Sequence, residues 1–178
     1  VIDQMAYNIS RFIERELLIG TDGKIEGLRG VTQKITAAST GTIKADELID
    51  LQDSVKDAFQ KDAIWIMHSK TRTALRKLKD GNGRYLLQDD LNSPFGKVLL
   101  GKPVYTSDNM PEMAAGKTAI YYGDISGLAV KIVEELEIEV LREKYATQHA
   151  VGVVGWCEMD AKVENEQKIA QMVMKENG

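Results

Sequence analysis

The middle third of the chain places the tightest limits on its fold. The run AIWIM at residues 63–67 is short, apolar and rich in β-branched and aromatic side chains, which predicts a buried strand. Ser69 is expected to cap a helix of about three turns that ends at the glycine-rich turn of residues 80–83. A bent extended segment at residues 99–105 and a strand at residues 118–123 follow. The predicted order is strand, helix, glycine turn, kinked strand and strand.

Two amphipathic helices are predicted before this stretch. Apolar side chains recur at three- and four-residue steps in residues 3–19, which predicts a helix that ends in the glycine-rich loop of residues 20–30. Residues 46–59 have the same spacing, with acidic side chains in the first turn, where the helix dipole favours them. A short strand is expected at residues 31–36. The first half of the chain is therefore predicted to be mixed helix and strand.

The last third of the chain has the pattern of long β-strands. Residues 128–133 and 136–142 are predicted to be two strands, with a reversal at the glutamate pair 134–135. In the second strand, apolar residues alternate with glutamates, which predicts one buried face and one solvated face in an antiparallel sheet. Residues 150–163 are predicted to be a third long strand. The pattern of residues 168–174 fits either a last strand or a short helix.

Composition narrows the class of protein. The 178 residues fall within the size range of a single domain, and 23 basic against 27 acidic side chains give a net charge of −4. This balance offers no general basic surplus for binding nucleic acid. No apolar run approaches the length of a membrane span, and the start of the chain lacks a signal-peptide pattern. Because the first residue is Val rather than Met, we expect a fragment or a processed form.

No set of residues in the sequence has the pattern of a reactive centre. His68 lacks a nucleophile motif and is interpreted as a structural residue at the end of a strand, His149 as a surface or sheet-edge residue, and Cys157 as a small buried apolar residue. The aspartates that could suggest a cation site lack EF-hand spacing; they are Asp80, Asp89 and Asp90. The glycine-rich turns lack the spacing of phosphate-binding loops. No catalytic residue, metal or cofactor is therefore expected.

The strongest charge feature is a group of basic residues that we call the basic cluster: Lys70, Arg72, Arg76, Lys77 and Lys79. Nucleic-acid binding would use such a surface for phosphates, but no aromatic residues are interleaved with it and the whole chain is acidic. The preferred hypothesis is a contact with an acidic surface of a neighbouring subunit, since complementary charges fix the register between copies. Reversing Arg76 and Lys79 to Glu is then expected to impair assembly without unfolding the monomer.

Four segments in a fixed order resemble a known family: the Trp-containing strand, LKDGNGRYL, LLGKPVYTSDNMP and IYYGDISG. Together they resemble the major capsid proteins of tailed bacteriophages and prophages with the Hong Kong 97-like fold. The resemblance implies an α+β fold, with the first helix as the second half of a long spine helix. It implies a structural subunit that forms pentamers and hexamers in an icosahedral shell around double-stranded DNA. The expected location is the virion capsid, assembled in the bacterial cytoplasm.

The resemblance also implies a division into two discontinuous domains. Residues 22–126 and 165–178 are expected to form an axial domain around the five-fold or six-fold axis. Residues 1–21 and 127–164 are expected to form part of a peripheral domain, without the N-terminal arm, the extended loop and the start of the spine helix. We therefore expect this form to be a monomer or a small oligomer. Self-crosslinking is not expected, because Val151 stands where some family members have the crosslinking Asn.

Three other classes remain as alternatives. An encapsulin-like compartment shares the implied fold and differs in what it encloses. A small α+β hydrolase with Asp108 or Asp124 as a loop acid lacks a converging set of reactive groups in the sequence. A nucleic-acid-binding module centred on residues 69–79 would show salt-dependent affinity for duplex DNA.

Overall fold

The structure, a computed structural model, describes residues 2–79, 83–89, 96–141 and 151–177. Within these ranges the strands form a seven-stranded sheet and a two-stranded ribbon. The helices are α1 (Ile2–Leu18), α2 (Ala45–Asp53) and α3 (Ser69–Leu75). The strands are β1 (Lys34–Thr36), β2 (Ile64–Met67), β3 (Leu87–Asp89), β4 (Lys97–Leu99), β5 (Lys102–Thr106), β6 (Thr118–Gly123), β7 (Leu128–Leu141), β8 (Gly152–Val163) and β9 (Ile169–Val173). The predicted α+β class is confirmed, and no helix in these ranges is long and apolar enough to cross a bilayer.

The seven-stranded sheet has the order β1-β9-β6-β2-β5-β4-β3. The pairs β1–β9 and β2–β5 are parallel, and the other neighbouring pairs are antiparallel. Strand β9, whose state the sequence left open, lies between β1 and β6 near one side of this sheet. The chain therefore leaves the sheet after β6, forms the ribbon of β7 and β8, and returns as β9.

Each face of the seven-stranded sheet carries a separate apolar cluster. On one face, helices α2 and α3 cover a cluster that includes Leu51, Leu75 and Trp65. The Trp65 indole N–H donates to Leu99 O at 2.9 Å, and its ring centroid lies 4.3 Å from that of Tyr122. The other face buries the end of α1, through Leu18, against the sheet and the base of the ribbon. Burial of these side chains holds the helices to the sheet.

Helix α2 is shorter than the predicted helix of residues 46–59. It ends at Asp53, and a separate 3₁₀ turn covers Asp57–Phe59. The Gln60 side-chain amide donates to Gln52 O at 2.7 Å and to Val55 O at 2.8 Å. Because a side chain occupies these carbonyls, the chain can leave the helix without exposing unpaired backbone groups.

Helix α3 begins and ends differently from the prediction. The N-cap is His68, with extended backbone, and its Nδ1 accepts from Lys70 N at 3.1 Å. Ser69 is instead the first helical residue, and its hydroxyl is 3.1 Å from an Asp108 carboxylate oxygen. The helix has 7 residues rather than three turns. The prediction of Ser69 as the cap was wrong because the preceding histidine supplies the acceptor.

The predicted bent segment at residues 99–105 is a tight hairpin. Strands β4 and β5 are antiparallel, with Leu99 opposite Lys102. The two loop residues, Leu100 and Gly101, have φ of 48° and 78°. Positive φ at both positions is the geometry of a type I′ turn, which matches the twist of a hairpin. The sequence did not predict this hairpin, because leucine rarely adopts the positive φ that the first turn position requires.

The ribbon differs from the prediction in two respects. The glutamate pair 134–135 is not a reversal: β7 runs continuously past it and pairs antiparallel with β8, with register shifts around Glu134. The apolar face predicted to be buried is only partly covered, since Val140 is 42% exposed and Ile138 is half-buried. Helix α1 packs beside the ribbon near Gly155, where an added Cβ would lie 3.0 Å from Ile9 Cδ1. The antiparallel pairing with β8 on both sides of the two glutamates keeps the chain extended where their adjacent charges had suggested a turn.

Two adjacent connections, which we call the crossings, join the seven-stranded sheet to the ribbon. The 3₁₀ turn at Ile125–Gly127 leads from β6 into β7, and the return from β8 to β9 passes beside it. Glu164 N donates to Gly127 O at 2.9 Å, and Asp124 N donates to Lys168 O at 3.0 Å. These bonds hold the crossings together, so the ribbon leaves the seven-stranded sheet from a defined base.

Candidate assembly surface

Helix α3 presents its basic residues because only two of its positions are buried. Thr71 and Leu75 face the core, with 0% and 1% exposure. The backbone after the helix continues to Lys79, which makes an isolated β-bridge with Tyr85 just before β3. The basic cluster is therefore divided between the helix and the short segment that leads toward the edge of the sheet.

The five basic residues have different surroundings. Lys70 pairs with Glu112 at 2.5 Å, and this hydrogen bond holds the pKa of Glu112 below its ordinary value. Lys79 Nζ lies 4.9 Å from the ring centroid of Tyr85, a cation–π contact. The Nε of Arg72 is buried without a hydrogen-bond partner in the described part of the chain. Lys70 and Lys79 therefore have partners within the subunit.

Arg76 and Lys77 are the exposed members of the basic cluster that have no internal partner. Both follow the last residue of α3, and neither side chain makes a hydrogen bond or ion pair with the residues that the structure describes. Charges that are free in the monomer are available to another molecule. Of the basic residues predicted from the sequence to contact a neighbouring subunit, these two are therefore the best candidates.

Helix α2 carries an acidic surface that the sequence analysis did not identify as a site. Asp46, Asp50 and Asp53 recur at steps of four and three residues, which places them on one stripe of the helix, opposite the buried Leu48 and Leu51. All three are exposed, and none forms an ion pair within the described ranges. The spacing of these aspartates in the sequence would have indicated the acidic surface. We call these three residues the acidic stripe.

The residues considered for a reactive centre do not converge in the described structure. His68 is buried as the helix cap, which confirms its structural role, whereas His149 lies outside the described residues. Cys157 is half-buried rather than fully buried, in a groove of about 690 Å³ between α1 and β8 that Ile9 and Met159 also line. Among the described residues, no group of His, Cys, Asp and Glu could hold a metal ion. Asp80 and Asp90 lie outside these residues, and so does the side chain of Asp89.

The two aspartates considered as loop acids are both engaged elsewhere. Asp108 contacts the Ser69 hydroxyl. Burial opposes ionisation of Asp124, but hydrogen bonds from Ser126 and the charge of Lys168 outweigh it, so its pKa lies below the ordinary value. Lys168 Nζ is 3.2 Å from Asp124 Oδ2 and 2.7 Å from Ser126 Oγ. A carboxylate held ionised in this way is a poor general acid, and its contacts are those of a structural link between the crossings.

Comparison with solved structures shows the same fold in capsids. The capsid of an empty GTA particle, computed with C5 symmetry, matches 98% of this chain with a TM-score of 0.80 and 22% identity. A structure from Microbacterium phage Oxtober96 matches 97% of the chain with a TM-score of 0.71 and 16% identity. The holo-SrpI encapsulin complex from Synechococcus elongatus PCC 7942 matches 97% with a TM-score of 0.69 and 16% identity. At these identities the likeness shows the fold.

The chain spans only part of these neighbours, covering 65% of the GTA capsid chain and 64% of the phage and encapsulin chains. No curated protein matches the sequence. The model of the phage capsid family matches residues 1–174, almost the whole of the chain. This chain therefore belongs to the phage capsid family.

Proposed function

We propose that this chain is a structural subunit of an icosahedral phage or prophage capsid that encloses double-stranded DNA. The observation that carries the proposal is the family match over residues 1–174, together with a fold shared by capsid structures over nearly the whole chain. Copies assemble as pentamers and hexamers, and the DNA is enclosed without sequence-specific binding. The subunit resides in the virion capsid and is assembled in the bacterial cytoplasm.

The proposed role is geometric rather than catalytic. The residues that sequence patterns offered for chemistry serve local structure where the structure describes them: His68 caps a helix, and Asp124 links two chain crossings. The exposed surface instead carries unpaired charges and apolar side chains. Repeating one heterologous contact around an axis makes a ring, and a shell can be built from such rings.

The seven-stranded sheet and the ribbon suit the two proposed domains. In this proposal, residues 22–126 and 165–178 form the axial domain, and residues 1–21 and 127–164 belong to the peripheral domain. The change from one to the other coincides with the paired crossings near Gly127 and Glu164. The basic cluster, on α3 and the segment after it, would then lie on the axial domain, where it would contact the next subunit.

The test is expression of the complete gene product in bacteria, followed by electron microscopy and nuclease digestion of purified particles. We expect closed particles of uniform size and, when packaging functions are supplied, nuclease-protected duplex DNA. Soluble monomers under all assembly conditions would contradict the proposal. For the 178-residue chain by itself we propose a monomer or small oligomer, since the neighbours have further length that it does not match. Light scattering would detect large particles if this expectation is wrong.

A protein compartment of the encapsulin kind is the second candidate, favoured by the likeness to an encapsulin complex. The same particles distinguish the two functions by their contents. A shell that copurifies with a specific protein cargo and never protects duplex DNA would support the compartment. DNA-filled particles would support the capsid.

A further inference from the structure

The acidic stripe of α2 combines charge with one exposed apolar side chain. Asp46, Asp50 and Asp53 lie on the outer side of the helix, and Ile49, which is 44% exposed, lies beside them. The inner side of α2 is fully buried against the seven-stranded sheet through Leu48 and Leu51. The stripe is therefore held by a rigid element, and its residues can be changed without disturbing the core.

The basic cluster has the complementary composition. Arg76 and Lys77 supply two exposed cations without internal partners, and Tyr85, which is 54% exposed, lies beside Lys79. Protein interfaces commonly have an apolar centre with a polar, charged rim. One surface thus offers carboxylates beside an isoleucine, and the other offers two exposed cations after α3 and a lysine beside a tyrosine.

The two surfaces lie toward opposite edges of the seven-stranded sheet. Helix α2 contacts β1, β9 and β6, which include one edge strand. The segment that carries Lys79 pairs with Tyr85, two residues before β3, which is the other edge strand. No ion pair joins the acidic stripe to the basic cluster among the described residues. Opposite charges that are unpaired within one copy can be paired between two copies.

We propose that the acidic stripe of α2 in one copy receives the basic cluster of α3 in the next copy around a capsomer ring. This inference rests on the proposed function and names the surface that the basic cluster contacts. The contact is heterologous, because each copy uses its α3 toward one neighbour and its α2 toward the other. Such a contact can repeat around either a five-fold or a six-fold axis.

The charge of the chain favours a second copy over nucleic acid as the occupant of the basic cluster. The chain has no general basic surplus for nucleic acid, since its net charge is −4, whereas a second copy brings a local acidic surface that complements the exposed cations. A repeated contact also multiplies its effect, because every copy in the ring makes it on both sides. Exposed pairs that are individually weak can therefore control assembly.

The test uses three variants of the complete gene product with reversed charges. The first, R76E/K77E, replaces the two cations of the basic cluster that lack an internal partner with carboxylates, and the second, D50K/D53K, replaces two of the three carboxylates of the acidic stripe with cations. The third combines all four changes and so exchanges the two charges while keeping the net charge of the wild type. Thermal melting checks that each variant folds. All four positions are exposed, so the melting temperatures are expected to stay close to that of the wild type.

We expect each two-residue variant alone to assemble at least about tenfold less than the wild type at the same concentration. The four-residue variant is expected to assemble by itself but not to mix with wild-type subunits, because their facing surfaces would have like charges. A mixture of the first and second variants is expected to recover assembly, since alternating copies restore opposite charges at every contact. Alternation closes only in rings with an even number of copies. The mixture should therefore form hexamers and open sheets or tubes, without five-membered rings.

Several results would overturn the inference. If both two-residue variants assembled as the wild type does, or if their mixture failed to recover, the two surfaces would not face one another. If R76E/K77E instead assembled normally but lost a salt-dependent affinity for duplex DNA, the basic cluster would be a nucleic-acid site. If the wild type itself formed neither rings nor shells, the proposed function would fail, and the inference with it. The wild-type control thus separates the two failures.

Discussion

The backbone at Gly123 cannot accommodate a side chain. Its φ is 140°, and an added Cβ would lie 2.0 Å from Lys168 O on the neighbouring crossing. We expect Gly123→Ala to lower the free energy of unfolding by about 3 kcal/mol, because both the backbone conformation and the close approach are lost. Urea denaturation provides the measurement. Gly41→Ala is the matched control, since no atom lies within 4 Å of its Cβ position. Equal effects of the two substitutions would contradict this explanation.

A second prediction at the residue scale concerns acid stability. The pKa of Asp124 is lower in the folded protein than in the unfolded chain, so its contribution is fully present above the ordinary carboxyl pKa and is lost as the pH falls through the lowered value. We expect Asp124→Asn to destabilise the protein by about 1 kcal/mol at pH 7, through the weakened contacts with Ser126 and Lys168. The difference from the wild type should shrink below about pH 4.

Denaturation curves collected across this pH range would measure the effect. Asp50→Asn is the control, because Asp50 is exposed and forms no ion pair within the described ranges. A destabilisation by Asp124→Asn that stayed constant from neutral to acid pH would show that the ionised form of Asp124 is not what stabilises the crossings.

On the scale of secondary-structure elements, the end of α2 depends on one distant side chain. The Gln60 amide donates to two carbonyls at the end of the helix and accepts from the Tyr122 hydroxyl on β6. We expect Gln60→Ala to cost about 2 kcal/mol, because Val55 O would lose its partner while Gln52 O and the Tyr122 hydroxyl would each lose one of theirs. Chemical denaturation would measure the loss. Gln88→Ala, at an exposed glutamine, should change stability by less than about 0.5 kcal/mol. Similar losses for both variants would rule out this capping role.

The elements also show where sequence patterns worked. The strand at residues 118–123 was predicted with the bounds that the structure has, because its apolar run is buried and ends at a glycine. The first helix was predicted to within one residue at either end, because its amphipathic spacing is strong. The predicted reversal in β7 was wrong, since two adjacent glutamates resemble a turn locally while a long partner strand keeps the chain extended.

For the whole molecule, the two sheets are expected to differ in their resistance to opening. Strands β6 and β9 lie inside the seven-stranded sheet and bury nearly all their side chains. The far end of the ribbon, residues 138–141 and 152–154, is half-exposed or exposed. Since two-stranded ribbons are marginally stable by themselves, we expect the ladder amides at the far end to exchange roughly a hundredfold faster than those of β6 and β9.

Hydrogen exchange followed by mass spectrometry or NMR would test this expectation in the isolated chain. The base of the ribbon serves as an internal reference, because Val163 and Leu128 pack with the apolar cluster on the sheet. Amides near them should exchange more slowly than those at the far end. Uniform protection along β7 and β8 would mean that the ribbon opens only when the whole molecule unfolds.

The local pattern of the sequence by itself determined strands β2, β6 and β8, the first helix, the basic cluster and the order of segments that resembles capsid proteins. These features depend on periodicity and residue type, which act over a few neighbouring positions. Only the tertiary structure decided that β9 lies between β1 and β6 and that His68 rather than Ser69 caps α3. Those outcomes depend on contacts between residues far apart in the chain or on competition among neighbouring side chains, which no local pattern resolves.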